Sequence, residues 1–326
     1  MTRWAIIGTG YIANRFASGM TQVKDAKGIA VVSRNLETAH AFAEKYGIQS
    51  CFDEFTTMLQ VAKPDIVYVA VPNDCHMEYI EAALEAGVHV LSEKPMTDTV
   101  AQMEQVFAKA KEKNLFVMEG MWTRCFPAVR QARQWLEEGC LGEVLAVHAS
   151  FDIKPAMEEW QPWKGGAKHA AGALRDVGIY SLAMAYLAFP QGPQEVHCKM
   201  VKNEEVDVSV DMMLDYETGA AHISGAFNRV SQHQAVIIGE KGKIIIGPEF
   251  WCPSKAVLQF QDGTEKIFEE SYEASGFQYE ITRVQEMLEQ GKLQCDDFTW
   301  EESRAIGTII ERLRKENNIL YAADEQ

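Results

Sequence analysis

The chain has 326 residues, 47% hydrophobic and 24% charged, which is the composition of a soluble globular protein long enough to bury two cores. Its net charge of −16, with no block rich in Lys and Arg, argues against a nucleic-acid or anionic-membrane partner, because both require clustered cations. Its 7 cysteines never form C-x-x-C and no apolar run reaches membrane length, so a reduced, cytoplasmic protein without a disulfide framework or structural zinc is expected.

The first strand, Trp4–Ile7, runs into Gly8-Thr9-Gly10-Tyr11-Ile12-Ala13, a G-x-G-x-x-A loop that opens a helix. Gly8 permits the tight turn, Gly10 lets a pyrophosphate approach the backbone, and Ala13 lets helix and strand pack closely. Free amides at the helix start, including those of Tyr11 and Ile12, suit phosphate. The second strand, Gly28–Ser33, ends on Ser33-Arg34-Asn35. An NAD enzyme usually carries an acidic residue there for the ribose hydroxyls; Ser33 and Arg34 instead offer a hydroxyl and a guanidinium to a 2′-phosphate, so NADP (NADPH) is expected.

A helix over Leu36–Tyr46 and a strand over Ile66–Val71 follow, the latter leading to Pro72-Asn73-Asp74-Cys75-His76. Asn73 or Asp74 could cap the next helix, Met77–Ala86, and this turn, with Pro72, Asn73 and His76, is expected beside the cofactor. The strand Val88–Leu91 then stops on Ser92-Glu93-Lys94-Pro95, delivering a lysine to the strand end where open α/β sheets bind ligands. A helix (Val100–Lys113) and a strand (Phe116–Met118) complete a doubly wound parallel Rossmann sheet, assigned to residues 1–122.

Beyond Met121-Trp122 the pattern changes. A helix at Ala128–Glu138 and a strand at Val144–Phe151 precede an irregular stretch with Trp160 and Trp163, then a helix near Tyr180–Leu187. From Glu195 to Phe268 strands dominate, with turn signals at Glu217-Thr218-Gly219, Glu240-Lys241-Gly242 and Asp262-Gly263. Helices near Tyr279–Gln290 and Glu301–Glu316 close an α+β domain, 123–326, with a large, mostly antiparallel open sheet. Asp176 and Tyr180 are spaced to share a helix face. A tyrosine beside a lysine makes an acid–base pair, although from spacing alone a core tyrosine beside a capping aspartate is the simpler reading. No histidine pair has metal-ligand spacing, so no metal site is expected.

Together the glycine loop, Pro72-Asn73…His76, Glu93-Lys94-Pro95 and Asp176…Tyr180 resemble the Gfo/Idh/MocA oxidoreductase family over essentially the whole chain. Met118–Ala128, Asp176–Tyr180 and Trp251-Cys252-Pro253 are similar to its dimeric dihydrodiol dehydrogenase branch, whose members also oxidise D-xylose with NADP. The resemblance implies hydride transfer at a sugar or cyclic diol hydroxyl, with Lys94 and Tyr180 as catalytic pair and Asp176 orienting a neighbouring hydroxyl. It places Glu93, Lys94, Trp122 and Arg124 with the cofactor, and implies a homodimer packed through the second-domain sheets. Some of Trp122, Trp160 and Trp163 are expected to wall the substrate pocket, the alternative being aromatics that fill an interdomain seam. The stretch Lys154–His169, Arg175 and Ala170-Ala171 depart from the branch pattern at positions expected near substrate. A non-catalytic NADP-binding regulator of the same fold is the alternative.

Overall fold

A computed structural model describes residues 1–154 and 169–325, so Trp160 and Trp163 lie outside the described residues. The chain forms two compact units, Met1–Trp122 with Tyr272–Trp300, and Thr123–Ser271 with Glu301–Gln326.

In the first unit, strands β1 (Thr2–Ile7), β2 (Ala26–Val32), β3 (Ser50–Phe52), β4 (Ile66–Val69), β5 (His89–Glu93) and β6 (Val117–Gly120) form one sheet in the order β3-β2-β1-β4-β5-β6. Every pairing is parallel. Helices α1 (Tyr11–Met20), α2 (Leu36–Tyr46), α3 (Phe55–Ala62), α4 (His76–Glu85) and α5 (Val100–Lys113) make the crossovers. Ile66–Val69 is buried at every residue, as expected for a central strand covered on both faces. On one face Val67, Val69 and Val90 pack with Ile80, Leu84 and Phe107. On the other, Phe16 of α1 stacks on Tyr68 with centroids 3.6 Å apart. Strand order reverses between β1 and β4, and the crevice at such a reversal is where this architecture binds ligands.

The second unit holds helices α6 (Pro127–Glu137) and α7 (Ile179–Ala188) and strand β7 (Val144–Asp152). Strands β8 (Glu195–Lys202), β9 (Asp207–Asp215), β10 (Ala220–Ala226), β11 (Ala235–Gly239), β12 (Gly242–Ile246), β13 (Lys255–Phe260) and β14 (Glu265–Glu269) follow. The sheet runs β14-β13-β12-β11-β7-β10-β9-β8, antiparallel throughout except for the β7–β10 pair. Helix α8 (Phe277–Glu289) belongs to the first unit, and α9 (Trp300–Glu316) extends into the second. No helix among the described residues is long and apolar enough to cross a membrane.

Residues 272–300, expected in the second domain, return to the first: Phe277 meets Phe16 edge-on at 5.9 Å, and Gln285 Nε2 donates to the Asp25 carbonyl at 2.9 Å. The Val117 amide also donates to the Leu293 carbonyl at 2.9 Å, so this excursion binds the β6 edge of the sheet.

Candidate active site

The glycine loop follows β1 at the strand-order reversal. Gly8 has φ +105°, and a Cβ there would lie 2.3 Å from the Ala70 carbonyl oxygen beyond β4, so only glycine fits. Gly10 is different. Its backbone is extended (φ −72°) and a Cβ on it would meet nothing within 4 Å. The chain's own packing therefore does not require glycine at 10, whereas an approaching ligand would. Helix α1 starts at Tyr11 with no side-chain cap and no acidic residue in its first turn, leaving its amides for an anion. Ala13 is fully buried.

Beside this loop, Ser33 Oγ lies 2.9 Å from Thr38 Oγ1 and 3.4 Å from Thr9 Oγ1. These three hydroxyls come from the ends of β1 and β2 and the start of α2. Arg34, exposed next to them, makes no hydrogen bond or ion pair among the described residues. Its charge favours the ionised thiol of Cys75 and phenol of Tyr79, although burial pushes both pKa values up. Such a hydroxyl cluster with an uncommitted guanidinium fits a phosphate, and with the open face at Gly10 the loop fits a dinucleotide. Thr38 went unnoticed in the sequence because a threonine in a first helical turn carries no signal by itself.

After β4, residues Asn73–Cys75 form a 3₁₀ turn closed by the Cys75 amide on the Pro72 carbonyl at 2.9 Å. His76 is fully buried; Nδ1 lies 3.0 Å from the Pro95 carbonyl and Nε2 2.9 Å from the Val71 carbonyl. Both ring nitrogens are thus occupied by backbone. His76 braces the Pro72 turn against the Lys94-Pro95 turn.

Strand β5 continues to Glu93, past the expected end at Leu91. Glu93 is buried, accepting hydrogen bonds from the Tyr68 hydroxyl and from the Lys94 amide at 3.3 Å. Glu119 on β6 is also buried and accepts from the Met96 amide at 2.9 Å. These two carboxylates hold the backbone on either side of Lys94, whose half-buried side chain starts at the C-terminal end of the sheet. Trp122 and Arg124 are used differently. Trp122 is 5% exposed, stacked on Phe277 at 4.6 Å with the Arg15 guanidinium 4.9 Å from its ring, so it packs within the first unit. Arg124, 3% exposed, donates to the Ala183 carbonyl at 2.8 Å and pairs with Glu302 inside the second unit.

In the second unit Tyr180 opens α7, while Asp176 lies in a preceding π-helical turn, Leu174–Gly178. Single π turns within helices are frequent at functional positions. The Tyr180 ring is tilted against Phe151 at 5.4 Å, and Phe151 stacks on Trp251 at 3.6 Å and 4°. Arg175, expected near substrate, is buried with its guanidinium 5.0 Å from the Tyr321 ring. Ala170 takes a left-handed φ of +49°, a conformation in which glycine is common.

Comparison with known proteins places this architecture. The GFO_IDH_MocA model, an oxidoreductase family with an NAD-binding Rossmann fold, matches residues 2–121, and the GFO/IDH/MocA C-terminal domain matches residues 129–245. The chain belongs to the Gfo/Idh/MocA oxidoreductase family. Within that family a trans-1,2-dihydrobenzene-1,2-diol dehydrogenase of Sus scrofa is 28% identical, over 99% of this chain and 99% of its own. Among solved structures, KijD10, a 3-ketoreductase from Actinomadura kijaniata in complex with NADP and TDP-benzene, is 25% identical with a TM-score of 0.82, covering 96% of this chain and 97% of its own. The aldose-aldose oxidoreductase of Caulobacter crescentus, complexed with glycerol, shares the fold at a TM-score of 0.85 and 24% identity, covering 97% of each chain. The chain is thus an oxidoreductase with a nicotinamide-dinucleotide fold.

Proposed function

We propose that this chain is an NADP-dependent dehydrogenase that acts on a CH–OH group of a sugar or cyclic diol. The observation that carries the reading is Lys94, an ammonium delivered by a buried strand to the ligand-binding end of the sheet and braced there through Glu93, Glu119 and His76. When bound, the nicotinamide supplies or accepts the hydride. Lys94 binds the reacting oxygen, Tyr180 exchanges the hydroxyl proton with Lys94 favouring the phenolate, and Asp176 orients a neighbouring substrate hydroxyl. The amides of Tyr11 and Ile12 hold the pyrophosphate, and Ser33, Thr38 and Arg34 hold the 2′-phosphate. The catalytic relatives named above support this choice of reaction and substrate class.

We further propose a homodimer through the outer face of the second sheet. Cross-strand partners run in one row across it, Ile267, Val257, Ile245, Val236, His148, His222, Met213 and His197. Ile267 is 57% and Met213 37% exposed, an apolar row that favours a covering partner.

The test is mutational. Tyr180→Phe removes only the proton-bearing hydroxyl, so NADP binding persists while kcat falls about 10²–10⁴-fold. Lys94→Met does similar damage. A variant that keeps near-normal kcat removes that residue from the pair.

A further inference from the structure

The segment that carries Asp176 and Tyr180 is entered through an unusual backbone. Ala170 has φ +49° and Gly172 φ +136°, two left-handed positions immediately before the π turn. At the non-glycine position, Ala170, such a conformation persists only where the surroundings hold it. One support is the Tyr321 hydroxyl, which donates to the Ala171 carbonyl at 3.3 Å. The second is Asp207, the first residue of β9, whose side chain is 2% exposed. The Leu174 amide donates to its Oδ2 at 2.5 Å. A Cβ on residue 172 would lie 2.1 Å from Asp207 Oδ1 and 3.0 Å from Cγ, so the carboxylate occupies the space a side chain at 172 would need.

A neutral Asn or Ser could accept the same amide at far smaller burial cost, because an interior carboxylate must give up its hydration. Three further groups interact electrostatically with this carboxylate. They are Arg175 and Asp176 on the π turn and Cys198 on β8. An anion at Asp207 is favoured by Arg175 and disfavoured by Asp176.

We propose that Asp207 is a positioning residue for the Asp176–Tyr180 segment, acting through the Leu174 amide and through its charge on the π turn. The proposal rests on Asp176 and Tyr180 being the reacting groups. Burial pushes the Asp207 carboxyl up to about 6, with the Leu174 amide and Arg175 pulling the other way, so its charge is lost on modest acidification.

The experiment measures kcat, KM and NADP affinity of the full chain from pH 5 to 8, with amide hydrogen exchange over residues 170–180, in Asp207→Asn and Asp207→Ala. For Asp207→Ala, kcat falls about tenfold to a hundredfold, the effect of a slight misplacement of reacting groups, while NADP affinity holds and exchange quickens in 170–180. Asp207→Asn keeps an acceptor of the same size and should lose the acid limb near pH 6 expected in the parent enzyme's kcat. Wild-type kcat and exchange in Asp207→Ala, or an unchanged acid limb in Asp207→Asn, overturns the proposal. Tyr180→Phe in the same assays separates the two claims. If it is inactive with normal exchange over 170–180, the catalytic reading stands and the Asp207 variants decide; if it stays active, the catalytic reading fails and takes this role with it.

Discussion

Glu280 offers a test that needs no substrate. It lies on α8 in the interior of the first unit, with 0% exposure, and neither carboxyl oxygen has a hydrogen-bond partner among the described residues. Burial, reinforced by the nearby Glu93 and Cys295, pushes its pKa well above the ordinary 4.5. The folded state therefore binds a proton that the unfolded chain releases near 4.5. The stability contributed by this group is complete below pH 4.5 and is lost as pH rises toward the folded pKa, at about 1.4 kcal/mol per pH unit. Glu280→Gln keeps the shape and cannot ionise, so it removes that slope. Melting temperatures of parent and variant, measured from pH 5 to 8, should diverge in the variant's favour by roughly 2–4 °C for each kcal/mol. A difference in Tm that stays constant across that range would mean Glu280 is ionised in the fold, and would refute the reasoning.

Arg34→Ala should weaken NADP binding about tenfold to a hundredfold, the loss of a charge-assisted contact, with NAD affinity little changed; titration of both cofactors checks it, and equal losses remove the phosphate role. Gly10→Ala should leave Tm near the parent value and lower dinucleotide affinity, whereas Gly8→Ala should lower Tm because its Cβ has no room at the Ala70 carbonyl. Thermal melts beside cofactor titrations separate the two. Trp122→Ala should destabilise the first unit by about 3–5 kcal/mol and leave the rank order of substrates unchanged, as expected for a packed ring. Denaturation together with a substrate series tests that.

The parallel sheet was legible because buried strands are apolar runs that end on chemistry-bearing residues. Leu36–Tyr46 and Val100–Lys113 have the helical bounds their periodicity indicates. The hairpin signals at Gly219, Gly242 and Gly263 do join adjacent antiparallel strands. Strand β3, three half-buried residues at a sheet edge, is too short to leave a period. The return of residues 272–300 to the first unit was hidden because Phe277 and Gln285 find partners more than 250 positions away, a distance local pattern does not encode. Side-chain roles were hardest. His76, Trp122, Arg124 and Arg175 are residue types that ligands favour, yet each is committed to backbone, ring or ion-pair contacts that only tertiary packing creates. Asp207 and Glu280 failed to stand out for the opposite reason, since a single acidic residue in an acidic chain is unremarked until its burial is known.

The most direct measurement follows nicotinamide absorbance at 340 nm while the purified chain is offered a panel of aldoses and cyclic trans-diols, with NADP and with NAD in parallel. Substrate-dependent NADPH formation is expected with at least one panel member, much faster than with NAD, and abolished in Tyr180→Phe. Tight NADP binding with no turnover on any sugar or diol, or turnover that prefers NAD, would contradict it.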